Sequence, residues 1–164
     1  MRRKRKLPRR KSLILLKVHI EEVNVEEILP VRQTVLRNGK PREECFFEGD
    51  LAEETIHLAL YNNEELVAIA SILKDTSEKI DTNNQYRLRG MAVVPNQQIK
   101  GYGRHLLLYA EDLIQQKAPA TLWFNARTTA VDFYQKNNFQ VFGKEFDIPN
   151  VGPHFLMFKN YEQT

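Results

Sequence analysis

The stretch VVPNQQIKGYGRHLLLYAEDL, residues 93–113, decides how the chain folds. An apolar run ends at Pro95, two glycines separated by one residue follow, and a leucine-rich segment of helical period begins. The first N–H groups of a helix are unpaired and carry partial positive charge, so they attract anions. Gly101 and Gly103 let a phosphate approach the backbone, while Lys100 and Arg104 add cationic donors. The stretch therefore predicts a strand, a diphosphate-binding turn and a helix.

Two other phosphate-binding motifs are excluded by their spacing. A Walker loop needs Gly-Lys-Ser/Thr, which the segment Gly-Tyr-Gly-Arg-His does not provide. A dinucleotide fingerprint needs a third glycine where this chain has Leu106. On the glycines alone, a tight turn that binds no ligand remains the alternative.

Hydrophobic patterns on either side of this stretch predict the element order β-α-β-β-β-α-β-α-β-β. The strands are predicted at 12–20, 55–61, 65–73, 86–94, 121–127, 139–148 and 154–161. The helices are predicted within 23–37, from the glycines to about 117, and at 128–137. Because residues 86–127 read strand, helix, strand, they predict a right-handed parallel crossover. The fold class is thus a mixed α/β (α+β) sheet with helices on its faces.

Charge is distributed unevenly along the 164 residues, a length that suits one domain. Residues 1–11 hold eight of the 24 basic side chains and no acid, so the rest of the chain has 16 basic and 21 acidic groups. Such a run repels itself, and we expect a disordered basic tail at 1–11 followed by a single domain at 12–164. The alternative is a segment that binds nucleic acid or an anionic membrane surface.

The composition also bears on membrane insertion, cellular location and metal binding. No apolar run approaches the roughly 20 residues of a membrane-spanning helix, and no secretory signal is recognised. Cys45 is the one cysteine, which fits a reducing compartment, so a cytoplasmic location is expected. The four histidines lack ligand spacing and there is no cysteine pair, so no metal is expected.

Three motifs in one order resemble the GNAT superfamily of acetyl-CoA-dependent N-acetyltransferases. The segment Gln98–Gly103 matches the signature Gln/Arg-x-x-Gly-x-Gly/Ala, and GMAVVP before it resembles the central strand of that family. AVDFYQKNNF, residues 130–139, resembles its last helix and the start of the next strand. The resemblance runs from about Leu13 to the C-terminus and extends to a bacterial subgroup of poorly defined substrate. It implies a GNAT-like fold, with a mostly antiparallel sheet of six to seven strands and one splayed parallel pair.

The resemblance also implies that acetyl-CoA is the acetyl donor. Its diphosphate is expected at the glycine turn and its pantetheine arm along the central strand, in the manner of an added strand. The residues assigned to the cofactor are Met91, Ala92, Val93, Gln98, Ile99, Lys100, Gly101, Tyr102, Gly103, Arg104, Asn125, Arg127 and Tyr134. Arg127 stands where relatives often have asparagine, and Asn125 is the alternative for that contact. Asn138 replaces a usual glycine, a neutral change because asparagine tolerates the left-handed conformation.

The resemblance assigns the proton donor for the departing thiolate to Tyr134, whose O–H stays protonated at neutral pH. A structural core aromatic is the alternative. His154 and Glu145, on the two closing strands, are the candidates for a general base, and a water relay is the alternative to both. Arg32, Arg37 and Glu44 lie in the region that relatives use for acceptor binding. Cys45 is rejected as a nucleophile because direct transfer needs no acyl-enzyme.

The function predicted from these features is direct acetyl transfer to a primary amine of a small molecule, in a ternary complex. One alternative is acetylation of protein N-termini or lysines, and the acidic body would suit a cationic acceptor. An alternative of another class is a nucleic-acid or ribosome-associated module that uses residues 1–11. A homodimer formed through the last two strands is an expectation that rests only on the resemblance to the family.

Overall fold

A computed structural model describes residues 18–98 and 100–164. The strands are β1 (Val18–Val23), β2 (Ile56–Asn62), β3 (Glu65–Lys74), β4 (Gln85–Val93), β5 (Ala120–Arg127), β6 (Gln140–Ile148) and β7 (Gly152–Tyr161). The helices are α1 (Val25–Val31), α2 (Tyr102–Gln115) and α3 (Val131–Lys136), and α1 continues as a π-helical turn, Arg32–Leu36. The predicted element order is confirmed. The basic segment 1–11 and the start of the predicted first strand lie outside the described residues.

The seven strands form one sheet in the order β1-β2-β3-β4-β5-β7-β6. All neighbouring strands are antiparallel except β4 and β5, which are joined through α2 as the predicted parallel crossover. The β2–β3 hairpin turns at Asn63 and Glu64, both with positive φ, as expected of a two-residue turn. The predicted mixed sheet is therefore confirmed, with seven strands.

Helices cover the two faces of the sheet. One face carries α2 and α3, whose Leu106, Leu107 and Tyr134 join the main core with alternate residues of the central strands. The opposite face carries α1, whose Ile28 and Leu29 are buried against β2, β3 and β4. In the described part of the chain, no helix is long and apolar enough to cross a membrane.

A bulge at Gly90 changes the direction of the side chains along β4. Tyr86 and Leu88 pack on the α2 face before the bulge, so Arg87 and Arg89 point to the α1 face. The register with β3 shifts at this point, and Gly90 has a φ of 64°. A Cβ on Gly90 would lie 2.8 Å from the ring of Phe47, so both the backbone and the packing require glycine here.

The parallel strands separate soon after they begin. Only Gln85–Arg87 of β4 pairs with Thr121–Trp123 of β5, although both strands continue for several residues. The second half of β4 is thus bonded to β3 on one side and separated from β5 on the other. This is the splayed pair that the resemblance predicts, and the space between the strands opens toward the start of α2.

Candidate functional site

A cleft of ≈ 540 Å³ lies where β4 and β5 diverge. Five segments line it: the second half of β4, the end of β5, the start of α3, the β6–β7 turn, and the connection between α1 and β2. A volume of this size is typical of small-ligand sites, which are about 300–1,000 Å³. The cleft lies between the carboxyl-terminal halves of the two parallel strands.

The edge of β4 in this cleft carries backbone groups that β5 does not reach. The N–H of Val94 donates to Val67 of β3 at 2.9 Å, and consecutive residues of a strand point their N–H groups to opposite sides. The peptide groups of Val93 and Met91 therefore point toward β5, whereas Ala92 faces β3. Of the three predicted cofactor residues on this strand, the outer two point their backbone groups to the side that β5 leaves unpaired, and Met91 also lines the cleft.

The start of α2 lies beside the end of this edge. Gly101 is the N-cap with a φ of 78° and supplies no side-chain cap, so the first-turn N–H groups have no protein acceptor from it. A Cβ on Gly103 would meet only Phe133 and Val93, both at 3.8 Å. Packing within the protein therefore does not demand glycine at 103, whereas a phosphate close to the backbone would.

The other residues of the signature surround this turn. Gln98 donates to the carbonyl of Val93 at 3.3 Å, and Lys100 donates to Gln97 at 2.9 Å. Arg104 is exposed, but Tyr102 is buried and accepts a hydrogen bond from Asn62, so only its backbone faces outward. Ile99 lies outside the described residues.

Tyr134 lines the cleft from α3 and is buried among aromatic rings. Its ring centroid lies 4.3 Å from that of Phe124 and 5.0 Å from that of Phe133. Burial raises the pKa of Tyr134 to about 12, because the phenolate would lose its hydration. The hydroxyl therefore stays protonated throughout the physiological range.

The two candidate bases differ in position. His154 lines the cleft and is buried, and its Nδ1 lies 2.8 Å from the carbonyl of Gly152. Because a carbonyl can only accept, the neutral imidazole carries its hydrogen on Nδ1 and its lone pair on Nε2. Glu145 is exposed, accepts a hydrogen bond from Thr128 at 2.9 Å, and is not among the cleft-lining residues. The structure thus brings His154, and not Glu145, into the cleft.

Asn125 and Arg127 both line the cleft at the end of β5. Arg127 is exposed and pairs across the sheet with His154, so these side chains share one face. Asn138 has a φ of 67°, the left-handed conformation expected after a helix. Either polar group at the end of β5 can reach a cofactor arm in the cleft.

Arg32 has a structural role that its sequence position did not predict. It is fully buried and its two terminal nitrogens contact Asp50 at 2.5 and 3.2 Å, with further bonds to the carbonyl of Cys45 and to Ser71. This network ties the π-helical turn to β3 and to the loop before β2. Arg32 therefore stabilises the wall of the cleft without reaching into it.

Phe47, Arg87 and Arg89 were not among the predicted site residues. All three line the cleft, and the ring of Phe47 lies between the backbone at Gly90 and the guanidinium of Arg89, 4.3 Å from its centroid. The alternation YRLRG before the central motif was a signal, because it places two arginines on one face of β4. Phe47 gave no local signal.

Cys45 and Glu44, both in the connection between α1 and β2, do not line the cleft. Cys45 is fully buried, with Sγ 3.4 Å from the carbonyl of Pro41, and it does not line the cleft. Glu44 is exposed and lies near Lys40, away from the cleft. Within residues 18–98 and 100–164, no cluster of three His, Cys, Asp or Glu side chains is arranged to hold a metal ion.

Comparison with known proteins agrees with this geometry. Residues 53–141 match the family described as acetyltransferase (GNAT) domain. The chain is 30% identical over 142 residues to the uncharacterized N-acetyltransferase YitI of Bacillus subtilis, covering 87% of this chain and 95% of that protein.

Two solved structures have the same fold. The ribosomal-protein-S18-alanine N-acetyltransferase of Escherichia coli has a TM-score of 0.70 at 18% identity, covering 90% of this chain and 96% of that one. Arabidopsis thaliana Naa50, in complex with the bisubstrate analogue CoA-Ac-MVNAL, has a TM-score of 0.68 at 16% identity, covering 89% and 100%. The chain therefore belongs to the GNAT family and is an acyl-CoA-dependent acetyltransferase.

Proposed function

We propose that this chain transfers the acetyl group of acetyl-CoA directly to a primary amine of a small molecule, with both substrates bound at once. The observation that carries this proposal is the divergence of β4 from β5 beside the start of α2. It leaves a free strand edge that leads to a helix N-terminus, the two features that a pantetheine arm and a diphosphate require.

In this proposal acetyl-CoA binds along the β4 edge. The diphosphate accepts hydrogen bonds from the first-turn N–H groups between Gly101 and Arg104, with Lys100 and Arg104 as cationic neighbours. The arm pairs with the backbone at Met91 and Val93. Asn125 or Arg127 contacts it from the β5 side of the cleft.

The chemistry needs a neutral amine and stabilisation of the charge that develops on the thioester oxygen. Nε2 of His154 keeps a lone pair, so it can accept the proton that the amine loses on attack. The backbone N–H groups of Met91 or Val93 are the donors closest to the bulge for the oxyanion. The C–S bond then breaks and the departing sulfur needs a proton.

Tyr134 acts on this departing sulfur. Its pKa of about 12 exceeds that of a thiol, about 8.5 in a free cysteine, so complete transfer of its proton to the thiolate is uphill. The hydroxyl therefore acts chiefly as a hydrogen-bond donor that disperses charge on sulfur. Protonation of the thiolate is completed by the proton released from the amine.

The cleft favours a small acceptor over a protein chain. Its space is bounded on the acceptor side by Phe47 and on the other by the β6–β7 turn with Ile148 and Pro149. The fold neighbours that act on proteins are less than 25% identical, so they support the fold and not the substrate. Acetylation of protein N-termini or lysines is the second candidate.

The decisive experiment is a thiol-release assay with acetyl-CoA against amines, amino acids, polyamines and peptides. We expect turnover with a small amine and initial-rate lines that intersect when both substrates are varied, as a ternary complex requires. Parallel lines would indicate an acetyl-enzyme and contradict direct transfer. Turnover confined to peptides would support the second candidate.

The basic segment is tested by deletion of residues 1–11. The cofactor contacts proposed here lie at residue 91 and beyond, so affinity for acetyl-CoA should be unchanged. A nucleic-acid module would instead lose its main interaction. Loss of acetyl-CoA binding and of turnover in the deletion variant would contradict the enzymatic role assigned to residues 18–164.

A further inference from the structure

The walls of the cleft are cationic. The lining residues include Arg37, Arg87, Arg89 and Arg127, together with His154. Among the cleft-lining residues in the described part of the chain, none is Asp or Glu. This local charge is opposite to that of the body, where acidic groups outnumber basic ones outside residues 1–11. Local potential, not net charge, selects a ligand.

Three of these arginines have no carboxylate of their own. Within residues 18–98 and 100–164, Arg37, Arg89 and Arg127 form no ion pair, whereas Arg87 pairs with Asp75 at 3.4 Å. Asp50, the acid that acts on Arg89 through space, already pairs with Arg32. The positive charge of Arg37 and Arg89 is therefore left open to the cleft.

Phe47 holds these two guanidinium groups in place. The charged carbons of Arg37 and Arg89 lie 5.0 and 4.3 Å from its ring centroid, within the range of cation–π attraction. Burial, followed by the charges of Arg87 and Arg37, lowers the pKa of Arg89, which means that its charge lacks compensation. An anion bound here would supply that compensation.

In the proposed binding mode, the phosphates of acetyl-CoA do not bind Arg37 and Arg89. They are assigned to the start of α2, which packs on the face occupied by Leu88. Arg87 and Arg89 alternate with Leu88 and point to the opposite face, where Arg87 lies 4.9 Å from the ring centroid of Trp123. The open charges therefore lie on the acceptor side of β4, next to the bulge at Gly90.

We propose that the acceptor is a primary amine that also carries an anionic group, a carboxylate or a phosphate, which binds Arg37 and Arg89 while the amine reaches the thioester. This inference rests on the proposed function and specifies its substrate class. It replaces the expectation, drawn from the acidic body, of a cationic acceptor. Guanidinium groups are suited to this role because they bind carboxylate and phosphate in a bidentate manner.

The test uses pairs of amines that differ only in the anion. Glutamate and glycine are compared with their amides, and O-phosphoethanolamine with ethanolamine, with spermidine as the cationic member. We expect kcat/KM of the full-length enzyme to be roughly 10- to 100-fold higher for one anionic series, as loss of a charge-assisted hydrogen bond predicts. The series that reacts distinguishes carboxylate from phosphate. Preference for the neutral members or for spermidine would overturn the inference.

The variants Arg89→Gln and Arg37→Gln test whether these two arginines bind the anionic group of the acceptor. Each should raise KM for the anionic amine by roughly tenfold or more, and change KM for its neutral partner less than about threefold. Arg42→Gln, an exposed arginine of the α1–β2 connection, is the matched control and should behave as wild type. Equal losses for charged and neutral amines in Arg89→Gln would contradict the assigned role.

Failure of the inference differs from failure of the proposed function. Calorimetry with coenzyme A measures the cofactor site alone and so tests the proposed function without the acceptor. Acetylation of a neutral or cationic amine, in preference to an anionic one, would leave the proposed function intact and overturn the inference. A measurement without turnover is the melting temperature of the coenzyme A complex with the acetylated product of the reacting series, N-acetylglycine or N-acetyl-O-phosphoethanolamine, or with its neutral counterpart. We expect the anionic product, and not the neutral one, to raise it, and Arg89→Gln to remove the difference; equal shifts would count against the inference.

Discussion

The two sides of the cleft are built from different parts of the polypeptide. The glycine side, formed by Tyr134 in the cleft and by the β4 edge at Met91–Val93 and residues 101–104 next to it, presents backbone groups and a tyrosine hydroxyl. The arginine side, formed by Arg37, Phe47, Arg87 and Arg89, presents charged side chains held on an aromatic ring. Backbone groups are present whatever the side chain, whereas side chains can change with the acceptor.

Two kinds of arginine surround Phe47, one behind the cleft wall and one in the cleft. Arg32 lies 3.9 Å from the ring centroid and is neutralised by Asp50, while Arg89 lies 4.3 Å away and is not neutralised by any described residue. The first is a structural support and the second is available to a ligand. Substitutions on the two sides should therefore separate stability, chemistry and cofactor binding.

The largest effect is expected from Asp50→Ala, which removes the support of the arginine side. Arg32 would be left buried and unpaired, so the free energy of unfolding should fall by about 3–5 kcal/mol. Urea denaturation measures this change. Glu44→Ala, which removes an exposed ion pair, is the control and should lose less than about 1 kcal/mol. Similar losses in the two variants would contradict the role of the buried pair.

Tyr134→Phe tests the chemical group of the glycine side. We expect kcat to fall roughly 10- to 100-fold, as the loss of a hydrogen bond to the charged sulfur predicts, with little change in coenzyme A affinity. Because its pKa is raised to about 12, Tyr134 does not titrate below pH 10, and the shape of the pH–rate profile there should be unchanged. Tyr109→Phe, on α2 and outside the cleft lining, is the control. A kcat equal to that of wild type would exclude the role.

Gly103→Ala tests the backbone approach of the diphosphate. The new methyl group fits the protein, since its neighbours would lie at 3.8 Å, but it stands between a phosphate and the helix start. The dissociation constant for coenzyme A, measured by calorimetry, should rise about tenfold, roughly the value of one charge-assisted hydrogen bond. Leu108→Ala, exposed on the same helix, should bind as wild type. Unchanged affinity in Gly103→Ala would place the diphosphate elsewhere.

His154→Gln should have the smallest effect. Water can also carry the proton of the amine, so we expect kcat at neutral pH to fall only about three- to tenfold, below the usual range for a general base. Steady-state rates at saturating substrates measure this loss. His19→Gln, at the far edge of the sheet, is the control. A wild-type rate in His154→Gln would mean that water alone accepts the proton of the amine and that His154 is not the general base.

The sequence predicted the glycine side better than the arginine side for a physical reason. Residues 91–104 are contiguous, so their spacing alone specifies the strand edge, the turn and the helix start. Arg37, Phe47 and Arg89 come from three separate segments and meet only through the π-helical turn and the bulge at Gly90. The spacing of the hydrophobic residues predicts neither the π-helical turn nor the bulge. It also does not distinguish Arg32, which is buried, from Arg37, which lines the cleft.

For a similar reason, the sequence did not decide between His154 and Glu145 as the general base. His154 and Glu145 both lie on strands of a hairpin whose register shifts between Phe142 and Phe146. A shift of one residue reverses the face of a side chain, so strand alternation could not assign these residues to the cleft. The order of elements was predictable because each element has its own turn residues and period.

Hydrogen exchange with and without coenzyme A tests most directly whether the cofactor lies along the β4 edge and the start of α2. We predict slower exchange in peptides covering Leu88–Val93 and Tyr102–His105, where free N–H groups would acquire acceptors, and unchanged exchange in β6. Saturating coenzyme A that leaves both segments unprotected, or protects only other parts of the chain, would contradict the placement of the cofactor between the splayed strands.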